Sequence, residues 1–192
     1  MPAREVPVEV SARHVHLSPE HLVQLFGAGH QLRARRPISQ PGQFAAEETV
    51  EVVGPKGSLS GRVIGPTRRE TQVELAASDC RRIGLPAAVR LSGNLTGSPG
   101  ALLRGPAGEV QLAQGVIVAQ RHLHVSPAEA AALGIGDGDV ISIAVSGTRP
   151  VSFHQVVVRA REGSDAASFM VDTDEANAGG LAGGEPGTIV PG

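Results

Sequence analysis

Arg13-His14-Val15-His16-Leu17-Ser18-Pro19 returns 108 residues later as Arg121-His122-Leu123-His124-Val125-Ser126-Pro127. Five of the seven positions are identical, and the other two exchange Val and Leu. A repeat of this kind means that the chain is built from two related units, read here as 1–92 and 93–192. The boundary is placed in the polar, glycine-containing stretch Ser92-Gly93-Asn94-Leu95-Thr96-Gly97-Ser98-Pro99-Gly100. A second echo lies in each half: Gly54-Pro55-Lys56-Gly57 and Gly105-Pro106-Ala107-Gly108 both read as tight turns between short strands.

The same local grammar surrounds each copy. Val6, Val8 and Val10 alternate with Pro7, Glu9 and Ser11, the period of a half-buried strand leading into the first His-x-His. Ser18 then caps a helix with Pro19 at its first position, Leu22, Leu25 and Phe26 on its apolar face, and Gly27 at its end. In the second copy Val116, Ile117 and Val118 form the strand. Ser126 and Glu129 make a capping box, and Gly134 stops the helix. Further strands are expected over 49–53, 61–64, 71–75, 110–112, 140–145, 151–159 and 169–171. The glycine-rich tail after Asn177 reads as loosely ordered. The fold class that follows is mainly β: two small β-barrel domains related by the internal repeat, each with short capping helices.

Composition narrows the function. The 192 residues include four Phe but no Tyr or Trp, so base stacking on aromatic platforms is nearly excluded. Apolar residues make up 41%, enough to fill a core despite 25 Gly and 14 Pro. The net charge of −2 leaves no basic footprint for nucleic acid. No apolar run is long enough for a membrane span. The single cysteine, Cys80, cannot form an internal disulfide, which points to a reducing cytoplasm. The N-terminus shows no apolar signal core, and the first strand-like run is reached at Val6. There is no G-x-G-x-x-G, P-loop or G-x-S-x-G.

The histidines are the chemical signal. Residues i and i+2 of a strand project from one face, about 6.5–7 Å apart. His14 with His16, and His122 with His124, can therefore each converge on one divalent ion, and neutral imidazole suits zinc. A lone H-x-H is more often a surface or hydrogen-bonded pair. Repetition raises the odds of a metal site, because helix capping explains the adjoining Ser-Pro but not the histidines. Spacing alone leaves both readings open. Arg68-Arg69-Glu70 follows Gly65-Pro66 and is either a phosphate-binding fork or an exposed basic turn. Glu74 points away from Val73 and Leu75, to solvent or to a site. Asp172, Asp174 and Glu175 could cap a helix, bind metal or form a solvated turn. Cys80 reads as a small buried residue, not a nucleophile.

From Val6 to about Ala178 these residues resemble the PduL-type phosphotransacylases, or phosphate propanoyltransferases. The stretches that bear the resemblance include Ser11-Ala12-Arg13-His14-Val15-His16-Leu17-Ser18 and the segment from Leu32 to Glu48 with Ser39-Gln40-Pro41-Gly42-Gln43-Phe44-Ala45. Ile64-Gly65-Pro66-Thr67-Arg68, Thr71-Gln72-Val73-Glu74, Gly115 through His124 and Asp172-Thr173-Asp174-Glu175-Ala176-Asn177 follow in order. The resemblance implies two β-barrel domains with a two-zinc site between them. It implies reversible transfer of a short acyl group, acetyl or propanoyl, between coenzyme A and inorganic phosphate. Carried over by position, His14, His16, His122 and His124 are zinc ligands, Glu74 is a carboxylate ligand, and Arg68 holds the phosphate.

One departure stands out. Members of this family commonly have a histidine two residues before the Asp-Thr-Asp-Glu-Ala-Asn motif, and this chain has Met170 there. That would leave the second zinc less well held, with His154 on a neighbouring strand as a candidate substitute. Members that enter bacterial microcompartments have an extra N-terminal helical segment. None is seen here, so a free cytoplasmic enzyme is expected. The expected partners are small molecules, acyl-CoA and phosphate, with a homo-oligomer left open. The alternatives are a zinc-dependent thioester hydrolase and a non-catalytic β-barrel repeat protein. Without Tyr or Trp, the adenine of coenzyme A must rest on arginine, aliphatic or backbone surface, or on one of the four phenylalanines.

Overall fold

The computed structural model describes residues 5–162 and 167–190. The first part of the chain forms β1 (Glu5–Ser11), β2 (His14–His16), α1 (Pro19–Phe26), β3 (Ala34–Pro37), β4 (Phe44–Gly54), β5 (Gly57–Gly65), β6 (Gln72–Glu74), α2 (Ala77–Ile83) and β7 (Val89–Arg90). There follow β8 (Leu102–Arg104), β9 (Glu109–Gln111), β10 (Val116–Ala119), β11 (His122–Val125), α3 (Pro127–Leu133) and β12 (Val140–Val145). The chain ends with β13 (Val151–Ala160), β14 (Ser168–Asp172), α4 (Thr173–Gly179) and β15 (Pro186–Val190). The fold is mainly β, as expected from the spacing of apolar runs and turns. No helix among the described residues is long and apolar enough to cross a membrane.

Two compact units result. One takes Arg13–Ile38 and Gly42–Ala119; the other takes Ser39–Pro41, the chain before Arg13 and the chain from Gln120 onward. The cuts fall beside the two copies of the heptapeptide, not at the 92/93 boundary read from loop composition. The reason is strand pairing. β1 pairs with β14 and β15, while β8 and β10 join β4 and β6. The polar stretch taken as a boundary is a loop inside one unit, where Leu95 is buried and Ser98 Oγ accepts from Gly115 N at 2.9 Å.

The later unit is a closed barrel of six strands in the order β1-β14-β11-β13-β12-β15. Alternation decides what lines it. Val6, Val8, Leu123, Val125, Ile143, Phe169 and Ile189 point inward. Phe153 and Phe169 meet edge to face there, 5.4 Å between centroids, which takes two of the four phenylalanines into the core. The glycine-rich tail is not loose: β15 closes the barrel by pairing with both β1 and β12. Its two inward positions are a glycine and Ile189, so it lacks the apolar density that marks a strand in sequence.

The other unit is a nine-stranded sheet in the order β7-β10-β6-β2-β5-β4-β8-β9, with β3 on β4. It curls as a half barrel around Val15, Leu17, Leu25, Val50, Val63, Val73 and Cys80. Both Gly-Pro-x-Gly turns belong to this one sheet, at the β4–β5 and β8–β9 hairpins. Each does the same job. Lys56 N donates to Ile83 O at the end of α2, and Ala107 N donates to Leu25 O near the end of α1, both at 2.9 Å. These bonds satisfy carbonyls that a helix end leaves unpaired. Glycine is needed because a Cβ at Gly54 or Gly105 would overlap that same helix carbonyl.

The predicted caps are present. Ser18 accepts from His21 N, and Ser126 with Glu129 forms a capping box. Asp172 with Glu175 forms a second box at the start of α4, so the acidic group is a helix cap. If β15 is a barrel stave, Ile189→Ala should cost about 2–4 kcal/mol in urea denaturation, while Thr188→Ala on its exposed side stays within about 0.5 kcal/mol.

Candidate metal and phosphate site

β2 lies between β5, to which it is parallel, and β6, to which it is antiparallel. Val15 faces the core, so His14 and His16 share the other face. In the β2–β6 ladder His14 stands opposite Glu74 and His16 opposite Gln72. Val73 and Leu75 pack inside, and Glu74 turns to a covered wall where it is only 9% exposed. His14 Nε2 lies 3.5 Å from Glu74 Oε2 and His16 Nε2 lies 4.0 Å from Glu74 Oε1. All three offered ligand atoms fall within 4.8 Å of one another.

Burial decides the charge state. The His16 pKa is pushed down to about 3, chiefly by desolvation and further by the positive charges of His14 and Arg68. The imidazole is thus neutral, the form that binds a metal without first losing a proton. Its Nδ1 is buried without a hydrogen bond of ordinary geometry, with only a weak interaction from the Ile64 carbonyl.

Gln72 holds the carboxylate. Its Nε2 donates to Glu74 Oε1 at 2.5 Å and to Ser92 Oγ at 2.8 Å, while its Oε1 accepts from Gly93 N at 2.8 Å. Ser92 Oγ also accepts from Arg68 Nη1 at 3.3 Å, and Arg68 Nη2 donates to Gln43 Oε1 at 3.0 Å. Arg68 is therefore tied to the same network as Glu74. Arg69 is the exposed basic turn, with a side chain 93% exposed and a loose contact to Glu70.

The barrel repeats this plan. β11 lies between β13, parallel, and β14, antiparallel, with His122 opposite Met170 and His124 opposite Ser168. The two Nε2 atoms are 3.0 Å apart, and the rings are edge to face. His154, the candidate substitute, is exposed and bonded to Ser142 Oγ at 2.8 Å. Among the described residues it does not join a metal-ligand cluster; only His14, His16 and Glu74 do.

The repeat also extends further than the heptapeptide shows. Arg13 grips Asp79 at the third residue of α2 with two bonds of 2.8 and 2.9 Å. Arg121 pairs with Glu175 at the third residue of α4, 2.6 Å away. Glu74 and Met170 each stand five residues before that acidic partner. This second, weaker echo between 74–79 and 170–175 was the signal that could have placed the two arginine pairs from sequence.

The profile of the phosphate propanoyltransferase family matches residues 7–182. The chain is 46% identical to the phosphate propanoyltransferase of Shewanella putrefaciens over 187 residues, spanning 96% of this chain and 88% of that one. It is 49% identical over 173 residues to that of Thermotoga maritima, spanning 89% and 82% of the two chains. Against that of Salmonella typhimurium it is 45% identical over 182 residues, spanning 94% and 86%. Identity at this level over almost the whole length makes the chain a member of the phosphate propanoyltransferase family, a family of transferases.

Proposed function

We propose that the chain catalyses acyl-CoA + phosphate = acyl phosphate + CoA for short acyl groups, acetyl or propanoyl, with zinc as cofactor. The observation that supports this reading is the buried His14–His16–Glu74 group tied through Gln72 and Ser92 to Arg68, in a chain of this family. The donor set fits zinc: two imidazoles and one carboxylate is a common catalytic ligand set that leaves room for a further ligand. His14, His16 and Glu74 would hold one ion, and His122 with His124 would contribute to a second metal position. When bound, zinc would supply fixed positive charge for a phosphate oxygen and for charge developing on the thioester carbonyl oxygen.

The residues divide the remaining work. Arg68 presents a planar, permanently charged fork that matches two phosphate oxygens, and its bonds to Ser92 and Gln43 limit its rotamers before phosphate arrives. Gln72 keeps the Glu74 carboxylate turned toward the histidines. An oxygen of hydrogen phosphate attacks the thioester carbon directly; the carbon–sulfur bond breaks, coenzyme A leaves as its thiolate, and the proton lost by the phosphate to solvent balances the one the thiolate takes up. No acyl-enzyme is needed. Cys80 is fully buried in the core of the sheet unit and offers no nucleophile. As the single cysteine it forms no internal disulfide, which suits a reducing cytoplasm. Of the four phenylalanines, Phe153 and Phe169 are buried and Phe26 and Phe44 pack partly buried against the sheet-unit core, so adenine would rest chiefly on arginine, aliphatic or backbone surface.

The rival thioester hydrolase is separated by phosphate. Thiol release from acyl-CoA should require phosphate and yield acyl phosphate in equal amount; equal release without phosphate would establish the hydrolase. Arg68→Ala should raise the phosphate KM by about 10-fold or more, with little change in the acyl-CoA KM. Gln72→Leu, similar in volume but unable to donate, should weaken zinc binding by about 10- to 100-fold in a chelator competition while the thermal midpoint stays close to that of the parent. Unchanged zinc affinity would remove Gln72 from the site.

A further inference from the structure

The two histidine pairs are built alike but completed differently. In the sheet unit the residue opposite the first histidine is Glu74. In the barrel the residue at the same ladder position is Met170. A carboxylate is replaced by a thioether.

Met170 is held where it can serve the pair. It is 8% exposed, on the face that β14 shares with Ser168 and across the ladder from His122. Ser168 Oγ lies 3.3 Å from its sulfur and Gln40 Nε2 3.8 Å from it. His122 Nδ1 lies 2.8 Å from the carbonyl oxygen of Gln120. A carbonyl only accepts, so the ring proton sits on Nδ1 and the Nε2 lone pair is directed toward His124. Glu9 stands opposite Met170 on β1, and its two oxygens accept from the Ser39 and Ser168 hydroxyls, each at 2.7 Å.

As ligands, two imidazoles and one soft thioether sulfur would give a bound ion no anionic donor. Thioether sulfur favours soft ions such as Cu(I). We propose that His122, His124 and Met170 form a soft metal station that takes a monovalent d10 cation, Cu(I) or its stable analogue Ag(I), in preference to Zn(II). This rests on reading the histidine pairs as metal stations, but not on the acyl-transfer chemistry.

Met170 is one of only two methionines, so protein labelled with 13C at the methionine methyls gives two signals, and Met170→Leu assigns them. Ag(I) is titrated into the whole, metal-stripped chain in chloride-free buffer. Cys80→Ala, run in parallel, removes the thiol as a competing silver site. The Met170 methyl should shift to completion with about one equivalent of Ag(I) and hardly move with Zn(II). Met170→Leu should lower silver affinity at the histidine ring signals by about 10-fold or more. Met170→His should raise the zinc content from about one to about two ions per chain. A methyl signal that silver leaves in place while the histidine signals shift would overturn the thioether's role. Two zinc ions held equally by parent and Met170→His would overturn the soft preference. Histidine signals that respond to neither metal would overturn the proposal together with the metal reading of this pair.

Discussion

The register between β2 and β6 is the constraint on which the rest depends. Three side chains from two strands can share one buried wall only if the ladder places Glu74 opposite His14, and a slip of one residue would send all of them to the opposite face. The Arg13–Asp79 fork pins that register. It joins the residue just before the histidine pair to the helix just after the glutamate strand, with Asp79 only 6% exposed. A charge-assisted bidentate bond is geometrically selective, so it resists the slide that backbone hydrogen bonds alone would permit. The barrel solves the same problem in the same way, with Arg121 and Glu175 in the corresponding places. Burial raises the Glu175 pKa against the pull of Arg121 and of its hydrogen bonds, a sign that the pairing is made at some desolvation cost.

Electrostatics then follows from position. A wall containing His14, His16 and the nearby Arg68 is rich in cationic groups, and Glu74 is the anion placed among them. Burial keeps His16 neutral and its lone pair available, with His14 and Arg68 pushing the same way and Glu74 pulling against them. Gln72, a neutral donor, stands behind the carboxylate and leaves its charge facing the histidines. In the barrel the ladder position of Glu74 is taken by the uncharged Met170. The repeat therefore keeps the scaffold of strand, histidine pair, antiparallel partner and helix, while the side chain opposite the pair differs.

Much of this was legible in the sequence because it was local. The Ser18-Pro19 and Ser126-Glu129 caps announced α1 and α3, and the alternation of Val6, Val8 and Val10 announced β1. What escaped was either non-local or lacked a side-chain signal. α2 starts at Ala76, which makes no side-chain cap bond, so no capping residue marked it. β15 has a single large inward apolar residue and hides in a glycine-rich tail. The unit boundaries depend on β1 reaching strands more than 150 residues away, which loop composition cannot reveal. The side of Glu74 was readable from alternation. That this side is covered was not, because Gln72, Ser92 and the β2 histidines are brought to it only by the fold.

The position a zinc ion takes on this chain is the direct test of the His14–His16–Glu74 site. Anomalous diffraction at the zinc edge from crystals of the zinc-loaded chain measures this directly. The predicted result is a peak about 2.0–2.2 Å from both His14 and His16 Nε2 and from a Glu74 carboxylate oxygen. A peak that shares none of these ligands, in a chain that still forms acyl phosphate from acyl-CoA and phosphate, would contradict it.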